Sequence, residues 1–81
     1  MSQIPYSDAD INGNLSVEVE LKNSADVFLV DRINYQKYNS GQEFKYFGGN
    51  YTRTPVTISV QGTGRWYLIV KGGEQYKYRF Y

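Results

Sequence analysis

Apolar and polar residues alternate without a break from Leu15 to Lys22. Leu15, Val17, Val19 and Leu21 fall on one side, and Ser16, Glu18, Glu20 and Lys22 on the other. A period of two marks a strand with one buried face and one wet face. The pattern returns from Gln75 to Tyr81, where Tyr76, Tyr78 and Phe80 alternate with Lys77 and Arg79. There the rings are expected in the core and the cations in solvent. Val27-Phe28-Leu29-Val30 is instead a continuous apolar run of strand length, which predicts burial on both faces. Further strands are predicted over Glu43 to Phe47, over Val56 to Val60 and over Arg65 to Val70, with a short one around Gln3 to Tyr6. Pro55 opens the Val56 strand, a position where proline is tolerated. Trp66, Leu68 and Val70 share one face of their strand, which places the tryptophan in the core.

Between these strands the punctuation is glycine. Gly48-Gly49 is read as the turn that stops the Glu43 strand, Gln61-Gly62-Thr63-Gly64 as a turn, and Gly72-Gly73 as the turn before the last strand. Asp31 to Gln42 is polar and tyrosine-bearing, broken by Asn39-Ser40-Gly41, and reads as a long connection with one helical turn from Asn34 to Tyr38. Short strands with turn signals and no helical periodicity predict one all-β domain over residues 1–81. The expected architecture is a small antiparallel β-sandwich, jelly-roll-like, of about six to eight short strands.

Composition narrows the chemistry. The chain has 81 residues, and a domain of this size buries only about 60% of its unfolded surface. It contains no cysteine and no histidine. Disulfides, thiolate sites, imidazole bases and histidine-ligated zinc are therefore excluded. Its serines have no Gly-x-Ser-x-Gly elbow, and no carboxylate pair suited to glycoside hydrolysis stands out. The expectation is a protein that is not an enzyme and carries no cofactor. Nine basic and eight acidic residues give a net charge of +1, with the cations scattered, so duplex nucleic acid is not an expected partner. No apolar run approaches the ~20 residues of a membrane span. Met1 to Pro5 has no positive segment and no apolar core of a signal peptide, so the expected location is cytoplasmic, away from any membrane.

The stretch from Tyr46 to Gly73 resembles a family known as domain of unknown function 1883. The matching features are Phe47-Gly48-Gly49, Arg53-Thr54-Pro55, the Val56 to Val60 strand, Gly64, Trp66 and Gly72-Gly73, with Gly13 to Val19 and Val27 to Asp31 upstream. The chain departs from the pattern at Gln61, where members often have proline, and at Lys71, where they often have an acid. The resemblance implies a small bacterial β-sandwich, found alone or attached to TIR domains. It implies no established chemistry.

Aromatic residues make up 17% of the chain, and nine of them are tyrosines. Tyr35, Tyr38, Tyr46 and Tyr51, with Arg53 and Arg65, lie in or beside predicted loops and are the candidate ligand- or partner-binding residues. Tyrosine and arginine are enriched at interface hot spots. The plainer reading is tyrosine covering a thin core. Asp8-x-Asp10-x-Asn12-Gly13-Asn14 has oxygen ligands at alternate positions and a glycine, as the start of a calcium loop does. Val19 stands where the closing glutamate belongs, so the run reads better as a hydrogen-bonded turn, and no metal is expected. The functional expectation is a non-catalytic binding or sensing module for a protein partner or small ligand. By analogy with the TIR-attached relatives, it would serve bacterial or phage defence. The alternatives are a carbohydrate- or nucleotide-binding domain and a self-assembling structural subunit, a homo-oligomer.

Overall fold

Seven strands and one helix make up the computed structural model, which describes residues 4–72 and 75–81. In chain order they are β1 (Tyr6–Asp8), β2 (Asn14–Leu21), β3 (Ala25–Asp31), α1 (Arg32–Asn39), β4 (Phe47–Tyr51), β5 (Val56–Gln61), β6 (Arg65–Lys71) and β7 (Tyr76–Phe80). They form two antiparallel sheets, one ordered β1-β6-β3-β4 and the other β5-β2-β7. Every link except β3 to β4 passes from one sheet to the other, which gives the chain its jelly-roll-like winding. The all-β sandwich expected from the alternating stretches is therefore present. No helix among the described residues is long and apolar enough to cross a membrane.

The core lies where the two inner faces meet. Leu15, Val17, Val19 and Leu21 of β2 face Val27 and Leu29 of β3 and Trp66 and Leu68 of β6, with Val56, Ile58 and Val60 of β5 completing it. Strict alternation explains the part played by β2 and β5, each with one apolar face to bury, while β3 and β6 add the inward half of their apolar runs. Trp66 is core as predicted, 5% exposed, and its Nε1–H donates to the Gly62 carbonyl at 3.0 Å.

The larger sheet is apolar on its outer face as well. Val30 and Ile69 are buried there, outside the inter-sheet core, and Phe28 and Tyr67 stand beside them. Burying Val30 and Ile69 is worth about 1.5–3 kcal/mol each, so this face needs a cover. The segment between β3 and β4 supplies it, which corrects the expectation of a long loop with one helical turn. That segment opens with α1, eight residues long, with Asp31 as its N-cap: the Asp31 carboxylate accepts from the Asn34 N–H at 2.9 Å. A helix shorter than about 12–15 residues is not stable alone, so packing and the cap hold this one.

Two more expectations need correction. Gly48 and Gly49 do not form a turn. They lie inside β4, paired with Phe28 and Val27, while residues 42–46 form no strand. At Gly48, φ is +133° and an added Cβ would clash with the Val27 carbonyl oxygen, so the strand comes this close only because the residue has no side chain. The β7 rings are only partly in the core: Tyr76 and Phe80 pack against it, but Tyr78 is 48% exposed. Gly72 occupies a bend after β6 at φ +91°, in keeping with its predicted turn, and Gly73 lies outside the described residues.

Gly48→Ala should lower unfolding free energy in urea by about 2 kcal/mol or more, from the steric clash and the unfavourable φ. Gly49→Ala, with open space where its Cβ would be, should cost less. Equal losses would contradict the close approach at Gly48. A second expectation concerns pH. Burial, and next the neighbouring Tyr78, hold the Tyr76 phenol above its ordinary value. The folded state thus keeps this proton more tightly than the unfolded chain. The resulting stability is complete below about pH 10 and is lost as pH rises through the shifted value. Urea unfolding in alkaline buffers should show a steeper loss for the parent protein than for Tyr76→Phe.

Candidate functional site

At the end of the sandwich where β3 runs into α1, several inward-facing residues reach the surface together. Asp31 ends β3 opposite Trp66, at the start of β6, and Phe47 opens β4 opposite Leu29. The Phe47 and Trp66 rings meet edge to face, with centroids 5.9 Å apart. Together with Asn34, Lys45 and Tyr46 these three residues line a groove of about 510 Å³. Tyr46 is 48% and Phe47 51% exposed, large fractions for rings beside a core.

Hydrogen bonds fix the polar side of the groove. Asp31 Oδ1 accepts from the Asn34 backbone N–H at 2.9 Å and from Asn34 Nδ2 at 2.8 Å. Asn34 Oδ1 in turn accepts from the Lys45 backbone N–H at 2.8 Å. Asn34 therefore ties the first turn of the helix to the segment that carries Lys45, Tyr46 and Phe47. Among the described residues, the hydrogen bonds of the Asp31 carboxylate all fall on Oδ1, which leaves Oδ2 to accept from a ligand. The groove thus combines an apolar ring surface, a carboxylate acceptor and a nearby ammonium.

The residues singled out from sequence divide among different places. Tyr46 is at the groove, and its ring packs 4.3 Å from Phe28 across the outer face of the larger sheet. Tyr35 stacks on Tyr67 at 4.0 Å with the planes 7° apart, and Tyr38 meets Phe44 edge to face at 5.3 Å. These two are the cover of that face, with Lys71 Nζ 5.1 Å above the Tyr38 ring. Arg65 lies further along the same face. Its Nε–H donates to Asp8 Oδ1 at 3.0 Å and its guanidinium sits 4.4 Å from the Tyr6 ring. The hydrogen bond and the charge of Asp8 hold the Arg65 guanidinium above its ordinary value. Tyr51 packs against the inter-sheet core, and Arg53 is exposed in the bend between β4 and β5.

The aspartate-rich turn is spent on its own backbone. Asp10 Oδ1 accepts from the N–H groups of Asn12 and Asn14, both at 2.9 Å, while Asp8 pairs with Arg65. Among the described residues no group of three or more potential acidic ligands is placed to hold a metal ion.

The family model described as Domain of unknown function (DUF1883) matches residues 1–78. The chain belongs to this family. No curated protein and no solved structure is found to match it.

In this DUF1883 domain, sequence reasoning reached Tyr46 but passed over Asp31, Asn34, Lys45 and Phe47. The available signal was Asp31 followed three residues later by Asn34, the spacing of an N-cap and the backbone group it accepts from. Asn34→Ala should cost about 1 kcal/mol and speed amide exchange at Lys45, whose N–H loses its acceptor. Unchanged exchange at Lys45 would show that Asn34 does not hold this segment.

Proposed function

We propose that this DUF1883 domain is a non-catalytic binding module whose groove takes a small ligand with a flat apolar face and a hydrogen-bond donor. The observation that carries this reading is the meeting of the Phe47 and Trp66 rings with the Asp31 carboxylate, Lys45 and Tyr46 along one groove. Most ligand sites are apolar concavities with a few fixed polar groups. Chemistry on a bound ligand is not part of the proposal, since the groove's one carboxylate is hydrogen-bonded to the Asn34 amides and, among the described residues, no second carboxylate lines it.

Of the ring-bearing ligands, a sugar suits the groove better than a nucleotide. A pyranose stacks its apolar face on an aromatic ring while its hydroxyls donate to a carboxylate. A phosphate near Asp31 would meet like charge. For the setting, we propose the bacterial cytoplasm and a role in defence against phage, by analogy with TIR-attached relatives. Neighbouring genes test that setting: a TIR or nuclease gene supports it, and structural phage genes count against it.

The binding proposal is tested by a thermal-shift screen with monosaccharides, nucleotides and calcium. A ligand at a hundredfold excess over its Kd stabilises the folded state by about 2.7 kcal/mol, enough to raise Tm by several degrees. A sugar should shift Tm, and nucleotides should not. Asp31→Asn keeps an N-cap oxygen and removes the charge, so it should leave folding intact and weaken binding about tenfold, as should Phe47→Ala. Binding unaffected by both substitutions would place the ligand elsewhere. No shift with any class would count against the small-ligand reading.

A further inference from the structure

A second surface, on the other sheet, is built differently. Ser16 and Tyr81 exchange both backbone hydrogen bonds, each at 2.9 Å. Antiparallel pairs alternate between hydrogen-bonded and non-bonded, and β7 lies against β2 with Glu18 opposite Arg79 and Glu20 opposite Lys77. The backbone groups of Lys77 and Arg79 therefore point to β2. Those of Tyr76, Tyr78 and Phe80 point the other way, along an edge that pairs with no other strand among the described residues. The same three residues carry rings that face the inter-sheet side, in a continuous row with neighbouring centroids 6.2 and 5.7 Å apart. The row is under-covered because β1, which shares a cavity with the end of β7, spans three residues and turns only Ser7 inward.

Charge identifies the occupant. Across the outer face, β2 presents Glu18 and Glu20, and β7 answers with Arg79 and Lys77; Arg79 Nη2 lies 3.6 Å from Glu18 Oε1. A strand added to the free edge continues this alternation if it is acidic, since opposite charges across strands attract and like charges repel. A second copy of β7, antiparallel and centred on Tyr78, would set Lys77 against Arg79 twice. The geometry points to the β7 edge as a strand-addition site for an extended segment of another protein in which apolar and acidic residues alternate. The segment's backbone pairs with Tyr76, Tyr78 and Phe80, its apolar side chains cover their rings, and its acids meet Lys77 and Arg79. This surface shares no residue with the groove, so the two proposals fail separately.

The test titrates the full chain with a soluble peptide alternating valine and glutamate, with a valine–lysine peptide as control, followed by NMR. The acidic peptide should bind, bind less tightly as salt rises, and slow amide exchange at Tyr76, Tyr78 and Phe80. Exchange at Lys77 and Arg79, already bonded to β2, should change little. Lys77→Gln combined with Arg79→Gln should weaken binding about tenfold or more. Tyr78→Pro should abolish it while leaving the β2 ladder whole, because the N–H it removes points outward. Three results would overturn the proposal: no binding, equal binding of the two peptides, or a dimer in sedimentation velocity that Tyr78→Pro dissociates.

Discussion

The larger sheet of this domain is apolar on both faces, and much of the structure follows from that constraint. Leu29 and Leu68 fill the inter-sheet core, while Val30 and Ile69, one residue further along the same strands, are buried on the opposite side. A two-sheet sandwich covers only its inner faces. The outer face here is roofed by rings from the β3–β4 connection: Tyr35 on Tyr67, and Phe44 and Tyr46 on Phe28. Each ring pair adds only about 0.5–1.5 kcal/mol beyond burial, so the buried aliphatic residues beneath dominate and the rings orient the cover.

The groove is a by-product of that roof. For α1 to lie on the outer face, the chain must leave β3 at Asp31 and return to the sheet at Phe47, close to where β6 begins. The Asp31–Asn34–Lys45 hydrogen bonds close this doorway on one side, and the Phe47–Trp66 contact forms the other. The site is therefore supported by a strand end, a capped helix and an edge strand whose glycines admit the backbone closely. A site held by such elements keeps its shape before a ligand arrives, and a preformed shape reduces the entropy lost on binding.

Legibility in the sequence followed the same physics. Strands β2 and β5 were readable because each buries one face and exposes the other, so alternation along the chain reports them directly, whereas β6, with Leu68 and Ile69 both buried, showed as a short apolar run. The helix was not, because its reason for existing is tertiary. Its ring contacts come from Tyr35 and Tyr38, Ile33 on the same helix is exposed, and eight residues carry too little periodicity to stand out. The clue lay elsewhere: a run from Val27 to Val30 buried on both faces needs a cover, and the Asp31 to Tyr46 connection was near enough to provide one. Gly48-Gly49 misled for a related reason. Paired glycines usually mark a turn, but here they let an edge strand approach Val27. Tyr46 was found as an aromatic beside glycines, whereas Asp31 and Phe47 matter through positions that only the fold creates.

The proposed ligand groove lies between Asp31, Lys45, Phe47 and Trp66. The most direct measurement is a set of two-dimensional NMR spectra recorded while monosaccharides are added to the intact chain. Saturable shifts are expected on the backbone amides of Asn34, Lys45 and Phe47 and on the Trp66 indole N–H, with the β5 and β7 amides still. Saturable shifts centred elsewhere, or spectra that no sugar moves, would contradict a ligand site in this groove.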